Sequence, residues 1–117
     1  MKTINIKGKE YVPVVERVKE AHKLDASVSI TTEIVSNDDK RVIVKADVRF
    51  KGVVYHGHSQ AEWGKGLMGN VALEVAETSA IGRALGFANI GLIDGIASAD
   101  EMRKVNTKET DDSDLPF

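Results

Sequence analysis

Three groups of residues have types and spacings that could do chemistry. His56 and His58 stand two apart, with Asp47 expected opposite His56 on a neighbouring strand, and two imidazoles with a carboxylate can ligate a metal. Gly64 to Gly69, GKGLMG, spells G-x-G-x-x-G at the entrance to a helix, the pattern that lets backbone N–H groups approach a pyrophosphate. Arg83 lies between Gly82 and Gly86 in a stretch, Asn70 to Gly91, that reads as a helix. Each interior glycine costs about 1 kcal/mol relative to alanine, so this face is expected to serve the close approach of another backbone or of a ligand.

The first two groups weaken on inspection. Histidines at i and i+2 on an exposed strand are usually ordinary surface residues, so no metal is expected. The dinucleotide fingerprint needs a parallel βαβ unit and an acidic residue about 20 positions on. Here the preceding strands read as antiparallel and the helix is still running at that distance. No cofactor is expected. A phosphate could still be received where Asn70 caps the helix with Lys65 alongside, or the loop could be a connection without a ligand. No nucleophile, base and orienting group can be assembled, so an enzyme is not expected. For the third group, Ala72, Ala76, Ser79, Gly82, Arg83 and Gly86 share one side at 100° per residue. Either the Arg83 guanidinium meets a phosphate or base there, or the small face packs on the sheet or on a neighbouring subunit.

The elements that must position these groups are legible. Residues 13 to 23 set Val14, Val15, Val18 and Ala21 against Glu16, Arg17, Lys19, Glu20 and Lys23, an amphipathic helix with Pro13 in its first turn. Residues 27 to 35 alternate as a strand, Asn37-Asp38-Asp39 supplies a turn, and Arg41 to Lys51 follows as a second strand. Lys51-Gly52 suits a two-residue hairpin loop. It would place Phe50 opposite Val53, Val48 opposite Tyr55 and Ala46 opposite Gly57 on an apolar face. Lys45, Asp47, Arg49, His56, His58 and Gln60 fall on a wet face, with Ile43 and Val54. The expected fold is α+β: a three-stranded antiparallel meander packed against helices. Residues 1–100 form the domain and 101–117 a disordered acidic tail.

Composition bounds the rest. The 117 residues, 42% hydrophobic and 29% charged, suffice for one small core. The chain has no cysteine and shows no apolar leader or run of roughly 18 residues. A soluble, cytoplasmic protein is expected. Its net charge of −2 is uneven: residues 107–117 carry one lysine against four acidic residues, whereas residues 1–60 carry eleven basic against eight. A weakly basic body with an acidic end can bind a polyanion locally.

Two resemblances add to this. The order helix, meander, glycine-containing connection and then ALEVAETSAIGRALGFANIG resembles the Rad-fifty-two-type single-strand annealing proteins and their phage relatives over residues 9 to 92, with Ala72-Leu73 and Arg83-Ala84-Leu85 matching. That resemblance implies a β-β-β-α core, single-stranded DNA bound in a basic groove of an oligomeric ring, and an aromatic at Tyr11 near the DNA. The ending DDSDLPF is similar to the acidic tip of bacterial single-stranded DNA-binding proteins. It implies that Asp112, Asp114, Leu115, Pro116 and Phe117 recruit replication or recombination proteins. The combined expectation is a phage or bacterial single-stranded DNA-binding protein with strand annealing as an implied activity. Its binding residues would be Arg83, Lys65, Lys45, Arg49 and Lys51, with Tyr11 and Tyr55 for stacking. An OB barrel serving the same function is the alternative, and a nucleotide- or metal-dependent enzyme a more distant one.

Overall fold

A computed structural model describes residues 1–92 and 95–102. Ile4–Ile6 (β1) and Lys9–Tyr11 (β2) form a small hairpin through Lys7-Gly8, both at positive φ. Val14–Leu24 (α1) follows. Ser29–Asn37 (β3), Arg41–Phe50 (β4) and Val53–Glu62 (β5) make an antiparallel sheet in the order β3-β4-β5. A 3-10 turn at Gly69–Val71 leads into Ala72–Phe87 (α2). Among the described residues the strands form a two-stranded hairpin and an open three-stranded sheet, not the five-stranded barrel of the OB alternative.

The β4–β5 turn fixes the register. Lys51 (φ 50°) and Gly52 (φ 81°) both adopt the left-handed conformation of a two-residue turn that suits right-twisted strands. Phe50 therefore pairs with Val53, Val48 with Tyr55 and Ala46 with Gly57. Strand alternation then sends Val42, Val44, Ala46, Val48 and Phe50 into the core, and Arg41, Ile43, Lys45, Asp47 and Arg49 to the other side.

Helix α2 covers the inner side of the sheet with Ala72, Ala76, Ala80 and Ala84, all essentially inaccessible. A row of alanines is used because the approach is close: a Cβ on Gly57 would lie 2.3 Å from the Ala80 carbonyl oxygen and 2.5 Å from the Ala84 nitrogen. The outer side of the sheet is left uncovered among the described residues. The helix start differs from the sequence reading, since Asn70 makes no capping bond and the α-helical hydrogen bonding begins after the 3-10 turn.

Helix α1 packs on α2, and its apolar stripe includes a charged residue. Arg17 is completely buried. Its Nη1 donates to the Gly82 carbonyl at 2.7 Å and the Ile96 carbonyl at 3.0 Å, and its Nη2 to those of Gly91 at 3.2 Å and Ala97 at 3.3 Å. Burial holds the guanidinium below its ordinary pKa, opposed by the charges of Glu101 and Asp100. The glycines of α2 make room for this arrangement. A Cβ on Gly82 would stand 2.5 Å from Val14 Cγ2, and one on Gly86 3.0 Å from Arg17 Nη1. Residues 95–102 complete the clamp: Asp100 Oδ1 accepts from the Val14 N–H at 2.7 Å, at the N-terminus of α1, and Ala99 N–H donates to the Val12 carbonyl at 3.1 Å.

Candidate functional site

The uncovered face of the sheet presents a cationic row along its central strand. Arg41, Lys45 and Arg49 alternate with Ile43 and Asp47, spanning roughly 26 Å at about 3.3 Å per residue. Across the ladders, Lys45 lies between Glu33 and His58, Asp47 between Thr31 and His56, and Arg49 between Ser29 and Val54. Lys51, in the hairpin turn at the end of the row, leans toward the other side, with Nζ 5.4 Å from the ring centroid of core-facing Phe50. This turn is clipped to the end of α1, because the Lys51 N–H donates to Asp25 Oδ2 at 2.7 Å. Carboxylates on the same face offset the row: Glu62 lies opposite Arg41 and Glu33 opposite Lys45, while Asp47 bonds to His56 Nδ1 and stands 3.8 Å from Lys45 Nζ. The bond from His56, then the charges of Lys45, His56 and His58, hold the Asp47 carboxyl below the ordinary carboxylate range. Among the described residues no three His, Cys, Asp or Glu side chains are grouped to hold a metal.

The remaining residues singled out in the sequence scatter. Tyr55 faces the core side of the sheet and Tyr11 pairs with Ile4 in the small hairpin; both are half-buried. Lys65 lies beyond the end of β5 remote from Lys51. Its loop uses two of its own donors internally, Gly64 N–H to the Gly69 carbonyl at 3.0 Å and Gly69 N–H to the Gly66 carbonyl at 3.3 Å. Arg83, on α2, stands 3.4 Å from Glu101 Oε2 and 6.0 Å from the Phe87 ring centroid. Asp112, Asp114, Leu115, Pro116 and Phe117 lie outside the described residues.

Of the two uses foreseen for the small face of α2, the structure shows packing. Ala72, Ala76, Ser79, Gly82 and Gly86 are all buried against the sheet, α1 and residues 96–98. Sequence reasoning missed Arg17, which it placed on the polar face of α1. A signal was present: Arg17 shares the helical side of Val14, Val18 and Ala21.

Fold and surface thus define a small α-β-β-β-α domain whose two helices leave one sheet face open. A family model described as Slr1353 N-terminal dsRNA-binding domain-like matches residues 17–88, and the chain belongs to that family. No curated protein and no solved structure matches the chain. The match overturns both resemblances drawn from the sequence, to Rad-fifty-two-type annealing proteins and to bacterial single-stranded DNA-binding proteins. With them falls the expectation of a phage or bacterial single-stranded DNA-binding recombination protein that anneals strands. The helix, meander and small-residue helix that carried the first resemblance also describe this family's matched region, so the order of elements did not discriminate. The supposed single-strand cradle on α2 is filled by the protein's own core. No helix among the described residues is long and apolar enough to cross a membrane.

Proposed function

We propose that this chain binds double-stranded RNA through its backbone shape, acting by binding and not by catalysis. The observation that carries the reading is the family match across the α-β-β-β-α body. Arg41, Lys45 and Arg49 supply the phosphate contacts. Physical chemistry supports a duplex over a single strand. The deep, narrow major groove of A-form RNA cannot be read by side chains, so recognition rests on phosphates, 2′-hydroxyls and shape, which a rigid ridge of spaced cations suits. Binding of single strands relies on aromatic stacking, and the open sheet face carries no Phe, Tyr or Trp among the described residues.

A second surface has a specific observation in its favour. Lys19 and Lys23 lie four residues apart on α1, with side chains 71% and 78% exposed. Their ion pairs with Glu16 (3.8 Å) and Glu20 (3.9 Å) are long, and the lysine ends remain open to solvent, so a phosphate can compete for them. Fluorescence anisotropy with a 20-bp RNA duplex, comparing Lys45→Glu/Arg49→Glu with Lys19→Glu/Lys23→Glu, separates the faces. The sheet reading expects the first pair to weaken binding at least tenfold and the second much less. The reverse order transfers the site to α1, and wild-type duplex affinity in both removes the proposal.

A further inference from the structure

The side of the domain away from the cationic row has the opposite character. Between β3 and α2 runs a groove of about 430 Å³. Ile34, Val44 and Leu73 contribute its apolar surface, and Ile34 remains 54% exposed although it points to the core side of the sheet. The reason is geometric: α2 crosses over β4 and β5 and barely reaches β3. Beside this apolar floor stand Glu74 and Glu77, both exposed, and no lysine or arginine lines the groove among the described residues; Glu33 passes along it, with its side chain on the opposite face beside Lys45. Thr32 Oγ1 donates to Glu77 Oε2 at 2.7 Å, which aims that carboxylate across the opening.

The groove lies beside an open backbone edge. β3 is an outer strand, so half of its N–H and C=O groups have no strand partner among the described residues. A register irregularity between Ile34 and Ser36 interrupts the strand there, leaving Ser29 to Ile34 as a regular six-residue edge. An added strand would gain main-chain bonds along that edge while alternate side chains enter the groove.

We infer that this edge and groove dock an extended segment of a partner protein that alternates apolar residues with lysine or arginine. Charge complementarity selects this occupant. The carboxylates of Glu74 and Glu77 beside the floor repel a nucleic acid, and a second copy of the chain would bring two acidic rims together. The inference is independent of the RNA reading, because none of its residues belongs to the cationic row.

Random linear dodecapeptides displayed on phage and selected on the intact protein provide the test, with the recovered peptides synthesised and titrated by fluorescence anisotropy. Recovery of peptides that alternate Lys or Arg with apolar residues is expected. Their affinity should fall at least tenfold in Glu74→Lys/Glu77→Lys and in Ile34→Lys, and stay within twofold in Lys45→Glu/Arg49→Glu. Failure to enrich any peptide, an acidic consensus, or peptides indifferent to the groove substitutions would overturn the inference. So would self-association of the chain that Ile34→Lys abolishes, since the occupant would then be a second copy.

Discussion

Replacing Arg17 with methionine, which is similar in length and apolar, removes a group on which α1, α2, Gly91 and residues 96–97 converge. Four carbonyls, those of Gly82, Gly91, Ile96 and Ala97, lose a charged donor at 2.7 to 3.3 Å. At about 1.5–3 kcal/mol for each hydrogen bond to a charged group, the gross loss is roughly 6–12 kcal/mol. Burying a guanidinium costs several kcal/mol, so much of that gain is already offset in the native protein. Nε, moreover, is buried without a hydrogen-bond partner among the described residues. The net loss expected is about 3–5 kcal/mol, the range for breaking a buried charged interaction from one side. Against a total stability of order 5–15 kcal/mol, and at about 4 °C per kcal/mol for a domain near this size, Tm should fall by roughly 12–20 °C. Urea and thermal unfolding followed by circular dichroism at pH 7 read this out. Arg17→Lys should recover less than half of the loss, because an ammonium lacks the fork that reaches four carbonyls from two nitrogens. A fall in stability below about 1 kcal/mol in the methionine variant would refute the reasoning.

Other outcomes are open to measurement. Gly82→Ala should destabilise by about 1–3 kcal/mol despite the better helix former, because its Cβ meets Val14 Cγ2 at 2.5 Å; Val14→Ala in the same chain should restore part of the loss, and strict additivity in urea unfolding would contradict the contact. The Asp25 carboxyl is held below the ordinary range by the N–H of Lys51 and by Ser27, and those of Asp38 and Asp47 are lowered as well. Groups with depressed folded pKa values stabilise above their unfolded value, so stability should be flat from pH 7 to about 5 and fall as acid takes the carboxyls through their depressed pKa values, below about pH 4. Asp25→Asn should make the acid limb of a urea-midpoint profile shallower; an unchanged limb would remove Asp25 from that account.

What the sequence disclosed followed from local chemistry. Lys51-Gly52 can hardly be anything but a two-residue turn, and once it is placed, alternation alone sorts Lys45, Asp47, Arg49, His56 and His58 onto one face. The length of α2 was likewise plain from its composition, within a few residues. The purpose of its glycines was not, because it depends on contacts between segments distant in the chain. Gly82 faces Val14, and Gly86 faces Arg17 and Ile96, separations that no periodicity records. Arg17 was hidden by its type: an arginine in an amphipathic helix is read as solvated unless something shows the carbonyls waiting for it. The neighbour of Arg83 was hidden for a related reason, as Glu101 comes 18 residues later in a segment that offers no strong pattern. The acidic groove was invisible because Ile34, Leu73 and their glutamates meet only after the sheet has folded beneath α2.

Competition binding tests the central claim most directly: the intact chain is titrated at several salt concentrations with a 20-bp RNA duplex, the DNA duplex of the same sequence and the two separate RNA strands. The account expects the RNA duplex to bind at least tenfold more tightly than either rival, with a salt dependence that flattens by about one unit of slope for each cation removed from Lys45 or Arg49. Tighter binding of the single strands, or equal affinity for all three, would contradict it.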